Sequence, residues 1–549
     1  MLVPSIAEGI PVRYRELDEE RLVKEPVVAL VRGNHWLLWA PSTDATPSAM
    51  HGYWVRVTSG ADSSSNVWKF LDLPVIAGAI ESIEILSPHT ARLRYADTVA
   101  ELTLDDQGFI LRATAPIRIT IGLDVRPLGN HDLFGQPVTI FPRSVINAEA
   151  HTSTKLSASP DKTERYLIIA ELAGQPVQAE LIVRGTIQRA STSSPTARRW
   201  SDGVVRPLLV RETFTLYGTE FKFFLHGKRP VSAVTPPLSL KSERLRDFIA
   251  ARLAAFRDGH FFAGVPISAS HRFRDELMAL WLLNHQSLRP FKFSKTKAVV
   301  LSRYLAALDQ WSLVDQPDGE AAADTFPWLV LAVETMTPNE AQRLGQSFRQ
   351  WLRLHLRDGE QLRVPLGRTW LPGRERPRPF ELEALFLRTL ERLAPSFGFE
   401  ALRDSYRRRL RTHLITETYP AAELEQPTVF LAALIQPELL SSQKWEKLFD
   451  PILAARTTAW GGLVVTTDTG HHSWHWLNNI AALALDQINP KKYHDQIENF
   501  ARASIDELLS SGALGWPGER SPAEALAPAG DLGSLLSTAS LLRLVGGNL

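Results

Sequence analysis

The spacing of apolar residues changes near residue 240 from a strand period to a helical one. Before that point, short runs rich in β-branched and aromatic residues are separated by turns such as Arg32-Gly33-Asn34, and few stretches between them have helical spacing. A parallel sheet needs helices between its strands. The pattern therefore predicts an antiparallel β-sandwich over residues 1–235.

The second half of the chain, residues 236–549, has the periodicity of a helical domain. Residues 230–240 hold three prolines and predict a linker. About twelve helices are predicted after it, the number required by an (α/α)6 barrel, in which an outer ring of helices surrounds an inner one. A helical bundle is the alternative, and the absence of a fixed repeat disfavours a solenoid. The predicted helices cover residues 241–257, 271–285, 296–310, 323–336, 338–357, 380–394, 397–413, 421–435, 441–456, 473–488, 490–510 and 531–545.

Charge and composition exclude several classes of function. The chain has 61 Lys and Arg against 60 Asp and Glu, so it lacks the basic surplus typical of nucleic-acid or membrane-surface binding. Cysteine is absent, which excludes disulfides, thiolate metal sites and thiol nucleophiles. No long apolar run and no secretory signal is present, so we expect a cytoplasmic protein. The oligomeric state cannot be predicted from these features.

The densest group of chemically active residues lies at 466–478. His471, His472 and His475 offer a possible metal site, because His residues at i and i+4 share a helix face. However, no HExxH motif and no acidic ligand at suitable spacing accompany them. We therefore predict no metal.

The same segment suits a neutral sugar better. Trp474 or Trp476 can stack on a sugar ring, while His472 and Asn478 can form hydrogen bonds with its hydroxyl groups. The structural alternative is an aromatic core beside a polar helix cap. Both interpretations remain open at this point.

Carboxylates recur in three other segments. Glu519 lies in a Pro/Gly-rich loop, with Trp516 three residues before it. Glu381 and Glu383 fall in the first turn of a predicted helix, where the helix dipole favours acids without any function. Asp324 precedes another predicted helix and is either an N-cap or a ligand for sugar hydroxyls.

Taken in order, these segments resemble the glucosidase domain of glycogen-debranching enzymes (amylo-α-1,6-glucosidase) and its glucoamylase-like relatives. Ala322-Ala323-Asp324-Thr325-Phe326 is similar to the family's Gly-Arg-Asp-Thr-Phe, and Ser473 to Asn478 to its V-W-P-W-L-N segment. Leu371-Pro372 followed by Glu381 to Phe386 looks like the family's catalytic helix, and Pro517-Gly518-Glu519 like its terminal L-P-E loop. The resemblance covers residues 240–549.

The resemblance implies an inverting glycoside hydrolase that acts on α-linked glucose and needs no cofactor. Glu381, or Glu383, would be the general acid and Glu519 the general base. Asp324 would bind hydroxyls of the cleaved sugar. The tryptophans proposed to stack on the carbohydrate are Trp311, Trp370, Trp474 and Trp516.

Three departures from the family pattern keep other functions open. The Arg before Asp324 is missing, Glu381 replaces an Asp, and His475 replaces a Pro. A noncatalytic carbohydrate-binding protein of the same fold is one alternative. A polysaccharide lyase or sugar epimerase is another, and would require His471 and His472 to converge with Arg374 and Arg376.

Overall fold

The structure is a computed structural model of the 549-residue chain. It describes residues 10–12, 27–32, 35–39, 51–58, 65–76, 80–105, 107–127, 135–143, 163–172, 175–191, 194–199, 205–226, 245–255, 257–258, 260–261, 264–265, 273–284, 301–302, 304–305, 324–333, 337–357, 361–362, 376, 378–467, 470–510, 513–514, 516–524, 526 and 533–546.

The first half of the described chain is built of strands. They are β1 (Ile10–Val12), β2 (Val27–Arg32), β3 (His35–Trp39), β4 (Gly52–Thr58), β5 (Ser65–Ile76), β6 (Ile80–Ser87), β7 (Thr90–Tyr95), β8 (Val99–Leu104), β9 (Gly108–Pro127), β10 (Thr139–Arg143), β11 (Thr163–Leu172), β12 (Gln175–Ser191), β13 (Thr196–Arg199), β14 (Val205–Leu208) and β15 (Glu212–His226). The Ser/Thr/Arg-rich sequence at 191–203 predicts a long exposed loop, but β13 lies within it and pairs with β14, just after it, in a two-stranded antiparallel ribbon.

The long strand β9 organises the main sheet, which has 14 strands. β8 and β5 pair with successive parts of one edge of β9, and β15 pairs with its other edge. Two antiparallel branches leave that shared edge, β8-β7-β6-β1 and β5-β4-β3-β2, and β2 and β3 contact β8. The large antiparallel sheet is confirmed, whereas its division into the two layers of a sandwich stays a prediction.

The second half begins with helix α1 and contains twelve α-helices among the described residues. They are α1 (Leu245–Ala255), α2 (Phe273–Leu282), α3 (Thr325–Ala332), α4 (Pro338–His355), α5 (Phe380–Phe397), α6 (Glu400–Ile415), α7 (Ala421–Leu424), α8 (Thr428–Ile435), α9 (Ser442–Arg456), α10 (His475–Ile488), α11 (His494–Ser510) and α12 (Leu535–Gly546). A 3-10 helix follows α8 at Pro437–Leu439.

Short strands connect these helices. They are β16 (Arg257–Asp258), β17 (His260–Phe261), β18 (Gly264–Val265), β19 (Leu356–Arg357), β20 (Gln361–Leu362), β21 (Val464–Thr467), β22 (Gly470–Trp474), β23 (Ala513–Leu514), β24 (Arg520–Pro522) and β25 (Gly533–Ser534). β21, β22 and β24 form a three-stranded sheet beside the start of α10.

Six of the helices form a closed ring. α2 contacts α3, α3 contacts α5, and the sequence of neighbours continues through α8, α10 and α12 back to α2. These helices are largely apolar; every residue of α3 and α8 is buried, as expected for helices without a solvent face. The ring matches the inner layer of the predicted (α/α)6 barrel, and the complete barrel stays a prediction.

More polar helices lie outside the ring. Both α4 and α6 contact α5, and α11 contacts α10. One side of α4 is strongly polar. Thr337 caps α4 in a reciprocal capping box with Glu340, as the sequence signal at that position predicts. The predicted helix at 296–310 lies mostly outside the described residues, as does the linker at 230–240.

Strand β23 and Trp516, late in the chain, pack against strand β2 near its start. β23 pairs in parallel with β2, with Val27 opposite Ala513. The indole Nε1 of Trp516 donates a hydrogen bond of 2.7 Å to the carbonyl of Ala29. The strand domain predicted at 1–235 and the helical domain at 236–549 are therefore joined by a segment from the far end of the chain. No helix among the described residues is long and apolar enough to cross a membrane.

Candidate active site

The ring encloses a cavity at the end where its six helices begin. The cavity has a volume of about 310 Å³ including its opening, and all six ring helices contribute to its wall. Its interior holds about one water molecule, so a sugar ring requires side chains to move aside. The lining residues are Arg274 and Met278 from α2, Asp324 and Trp328 from α3, Glu381, Leu382 and Leu385 from α5, Leu431 from α8, Trp476 from α10 and Leu536 from α12.

The position of the cavity gives it a distinct electrostatic character. Arg274, Glu381, Trp476 and Leu536 are each the second residue of their helix. The first turns of a helix carry unpaired N–H groups and the positive end of the helix dipole. Six such ends favour carboxylates and oxygen-rich ligands in the space between them.

Asp324 is fully buried at the start of α3, where the sequence allowed an N-cap or a ligand. Its side chain makes no capping hydrogen bond. Oδ2 accepts a hydrogen bond of 3.3 Å from Nε1 of Trp328, and Oδ1 has no hydrogen-bond partner on another described residue. Burial raises the pKa of Asp324 to about 6, with Arg274 opposing the rise. The structure thus places this carboxyl toward the cavity.

Glu381 reaches the same cavity but is held in an ion pair. Arg376 donates hydrogen bonds of 2.5 and 2.9 Å to its two carboxylate oxygens. The same guanidinium binds Glu423 on α7 at 2.5 and 3.0 Å, so one arginine joins two buried acids. The two acids raise the pKa of Arg376 against the effect of burial. Bidentate pairing of this kind fixes the orientation of both carboxylates.

Glu383 points elsewhere. It is buried on α5 and paired with Arg378 at 3.0 and 3.2 Å, and it is not among the residues that line the cavity. Of the two acids offered by the sequence at the start of this helix, Glu381 is therefore the one at the cavity.

Glu519 lies half-buried in the loop before β24, close to the same end of the ring. Its backbone carbonyl accepts a hydrogen bond of 3.1 Å from the N–H of His475, the residue before Trp476 of the cavity wall. The side chain does not line the described cavity. The backbone of the predicted base is thus tied to the cavity wall, while its side chain is not among the residues that line the cavity.

Two buried side chains hold this loop. Both carboxyl oxygens of Glu507, on α11, accept hydrogen bonds of 2.9 and 3.0 Å from the N–H of Gly518. The imidazole Nε2 of His475 lies 3.0 Å from Oγ of Ser521. Burial raises the pKa of Glu507 to about 8 and lowers the pKa of His475 to about 3. Between about pH 3 and about pH 8, both groups are therefore mostly uncharged.

His472 and Trp474 lie on β22, outside the cavity. Both are half-buried, and the guanidinium of Arg520 lies 5.0 Å from the ring centre of Trp474. Burial, with Arg520 adding to it, lowers the pKa of His472. The arrangement forms an aromatic and cationic surface next to Glu519.

Other predicted ligands have structural partners. Oδ1 of Asn478 accepts hydrogen bonds from the N–H of Leu463 at 2.9 Å and from Ser473 at 3.1 Å. Trp516 is buried between the two halves of the chain and lies 5.1 Å from the guanidinium of Arg252. Trp311 and Trp370 lie outside the described residues. Of the predicted site residues, the structure brings Asp324, Glu381 and Trp476 together at the cavity.

Sequence reasoning did not assign three side chains of this site. Trp328 follows Asp324 by one helical turn, a spacing that could have indicated it. Arg274 has no local signal beyond its place at a helix start. Arg376 was considered only as part of a lyase site, and its partner Glu423 is 47 residues away.

Among the described residues, no group of three or more His, Asp or Glu side chains could hold a metal ion. His471 is exposed on β22 and His475 is buried on α10, so these two histidines do not share the helix face that the sequence spacing offered.

Comparison with known proteins gives a likeness of fold. The chain matches no protein family and no curated protein by sequence. It is similar to a bacterial glucoamylase solved in complex with acarbose, at a TM-score of 0.54 and 8% identity, over 99% of this chain and 95% of that one. A GH78 family rhamnosidase of a Bacillus species has a TM-score of 0.40 and 10% identity, over 68% and 46%. A polysaccharide lyase has a TM-score of 0.35 and 11% identity, over 96% and 100%.

The first similarity confirms a glucoamylase-like fold, as the sequence resemblance implied, and the other two are too distant to add to it. The likeness to debranching enzymes in particular stays a prediction.

Proposed function

We propose that this protein is a glycoside hydrolase that acts on α-linked, glucose-containing oligo- or polysaccharides. One observation carries the proposal: two carboxyl groups, Asp324 and Glu381, line a cavity with two tryptophans, Trp328 and Trp476, where six helices begin. Carboxyl pairs supply the acid and the charge stabilisation for glycoside cleavage, and indole rings pack on sugar faces. The glucoamylase-like fold supports this assignment without fixing the substrate.

The proposed reaction is inverting hydrolysis. One carboxylic acid protonates the leaving oxygen while a second carboxylate, Glu519, takes a proton from the attacking water. Support for Glu519 comes from its place in a loop tied by backbone to His475, next to the cavity wall. Glu381 contributes negative charge beside the breaking bond, where the sugar acquires oxocarbenium character.

Sugar release tests this proposal. Wild type, Glu519→Gln and a matched control, Glu524→Gln, are incubated with a panel of α- and β-linked oligosaccharides. Glu524 is exposed two residues beyond β24 and does not line the cavity. We expect release from α-linked glucosides by wild type and control, and a loss of at least about 100-fold in Glu519→Gln, because the base is missing. No release by wild type from any substrate would refute the proposal.

A noncatalytic carbohydrate-binding protein is the second candidate, favoured by the Arg376 ion pair on Glu381 and the small interior of the cavity. Calorimetric titration with the same oligosaccharides distinguishes it: binding without release would establish it. The lyase alternative requires a free basic cluster. Arg376 is instead bound to two acids, and His472 lies on β22 away from the cavity lining.

A further inference from the structure

We propose that Asp324, rather than Glu381, donates the proton to the leaving oxygen. The inference rests on the hydrolase proposed above and moves the general-acid role, which the sequence resemblance gave to Glu381, to Asp324. The question is which of the two carboxyl groups that line the cavity carries the proton that is transferred.

The first observation is the free oxygen of Asp324. The side chain is fully buried, lines the cavity, and does not cap its own helix. Trp328 occupies Oδ2, which leaves Oδ1 without a hydrogen-bond partner on another described residue. A buried carboxyl oxygen without a partner costs free energy unless it is protonated or meets a ligand. A glycosidic oxygen in the cavity would complete its hydrogen bonding.

The second observation is the balance of charge around Asp324. Arg274 and Asp275 act on it from α2 with opposite sign, and Glu381 faces the same cavity from α5. Burial outweighs the attraction of Arg274 and raises the pKa of Asp324 to about 6. A general acid needs such a value, because it must hold a proton at working pH and still release it.

The third observation is that Glu381 is committed to Arg376. Both of its oxygens accept charge-assisted hydrogen bonds from one guanidinium, which Glu423 holds from its other side. A proton on Glu381 would replace one of those bonds. Both oxygens of Glu381 are therefore occupied as acceptors, whereas Asp324 keeps one oxygen without such a bond.

The proposed step balances as follows. The Oδ1 proton of Asp324 moves to the glycosidic oxygen as the bond from that oxygen to the anomeric carbon breaks. Water attacks the anomeric carbon and gives one proton to Glu519. Asp324 ends ionised and Glu519 protonated, and exchange with solvent restores both. No oxidant or cofactor takes part.

The dependence on leaving group tests this step. A glycosyl fluoride needs no protonation to leave, whereas a sugar leaving group does. We expect Asp324→Asn to lose about 100- to 10,000-fold in kcat/KM on the preferred oligosaccharide and less than about tenfold on α-glucosyl fluoride. Glu381→Gln should lose activity on both substrates. The matched control is Asp404→Asn, which changes an exposed aspartate on α6 and should leave activity on both substrates unchanged.

The pH profile of wild type gives a second test that needs no variant. With the oligosaccharide, kcat/KM should fall at high pH as Asp324 ionises, with a midpoint near 6. With the fluoride, that alkaline fall should be missing. This readout remains available if Asp324→Asn fails to fold.

The outcomes separate the two proposals. Wild type that is inactive on every glycoside and on the fluoride would refute the hydrolase and this inference with it. If wild type is active, two results for Asp324→Asn would refute the inference but not the hydrolase. One is an equal loss of activity on both substrates, and the other is full activity on the oligosaccharide. An alkaline fall of the same midpoint with both substrates would also overturn it.

Discussion

Glu507 should make the protein less stable as the pH rises from acid to neutral. Its carboxyl is buried on α11 and accepts both of its described hydrogen bonds from the N–H of Gly518. Burial raises its pKa from 4.5 to about 8. Between those values the unfolded chain has released the proton while the folded protein still holds it, so stability falls as pH rises.

The size of this effect follows from the same two values. At 1.36 kcal/mol for each pH unit, a rise from 4.5 to about 8 corresponds to about 5 kcal/mol once the pH exceeds 8, and to about 3 kcal/mol at pH 7. Glu507→Gln removes the titration, and its amide oxygen can still accept from Gly518. The variant should match wild type near pH 4 and exceed it by about 3 kcal/mol at pH 7.

Thermal unfolding followed by circular dichroism at pH 4, 5, 6, 7 and 8 measures the difference. A gain of about 3 kcal/mol corresponds to a rise in Tm on the order of 5 °C for a helical domain of this size. Glu498→Gln, half-buried on the same helix and paired with His494, is the matched control and should show no such pH trend. A difference that stays constant from pH 4 to 8, or a variant less stable than wild type at pH 8, would refute the reasoning.

Three further substitutions test local sources of stability by urea unfolding. Arg376→Met leaves two buried carboxylates without their cation and should lower the free energy of unfolding by about 3–5 kcal/mol, whereas Arg388→Met breaks exposed pairs and should cost less than about 1 kcal/mol. Equal losses in the two variants would contradict the burial argument. Gly398→Ala puts a side chain at a φ of +70°, with no atom within 4 Å, and should cost about 1–2 kcal/mol from backbone strain alone; no loss would refute that strain. Thr337→Ala removes the capping box of α4 and should cost about 1 kcal/mol, and a neutral result would mean that the cap is replaced by water.

Local signals predicted most helices well, and the errors have local causes. α5 starts at Phe380 as predicted but continues past Pro395 to Phe397, where Gly398 ends it in the left-handed conformation. The helix predicted over 421–435 is interrupted between Leu424 and Thr428. Pro427 accounts for the interruption, since proline cannot donate the hydrogen bond that would continue the helix.

Contacts between distant segments could not be predicted. Trp516 looked like a sugar-stacking residue beside Glu519, yet its indole binds Ala29, which is 487 residues away. A tryptophan in a Pro/Gly-rich loop has the same sequence signature in a binding site and in a domain interface. The parallel pairing of β23 with β2 decides between them, and only the tertiary structure contains it.

The site itself shows why local reasoning stops where it does. Acids at helix starts are favoured by the dipole alone, so Asp324, Glu381 and Glu383 all have a structural explanation in the sequence. In the structure their neighbours differ. Glu383 pairs with Arg378, and Glu381 lines the cavity but pairs with Arg376. Asp324 lines the same cavity with one carboxyl oxygen that has no hydrogen-bond partner on another described residue. Acidic residues are common in the first turn of helices. Because the six ring helices all start at one end, their acids come together there, each in a different environment. The chemistry of the site therefore depends on which neighbour each acid meets, and the hydrolysis and pH experiments measure that difference directly.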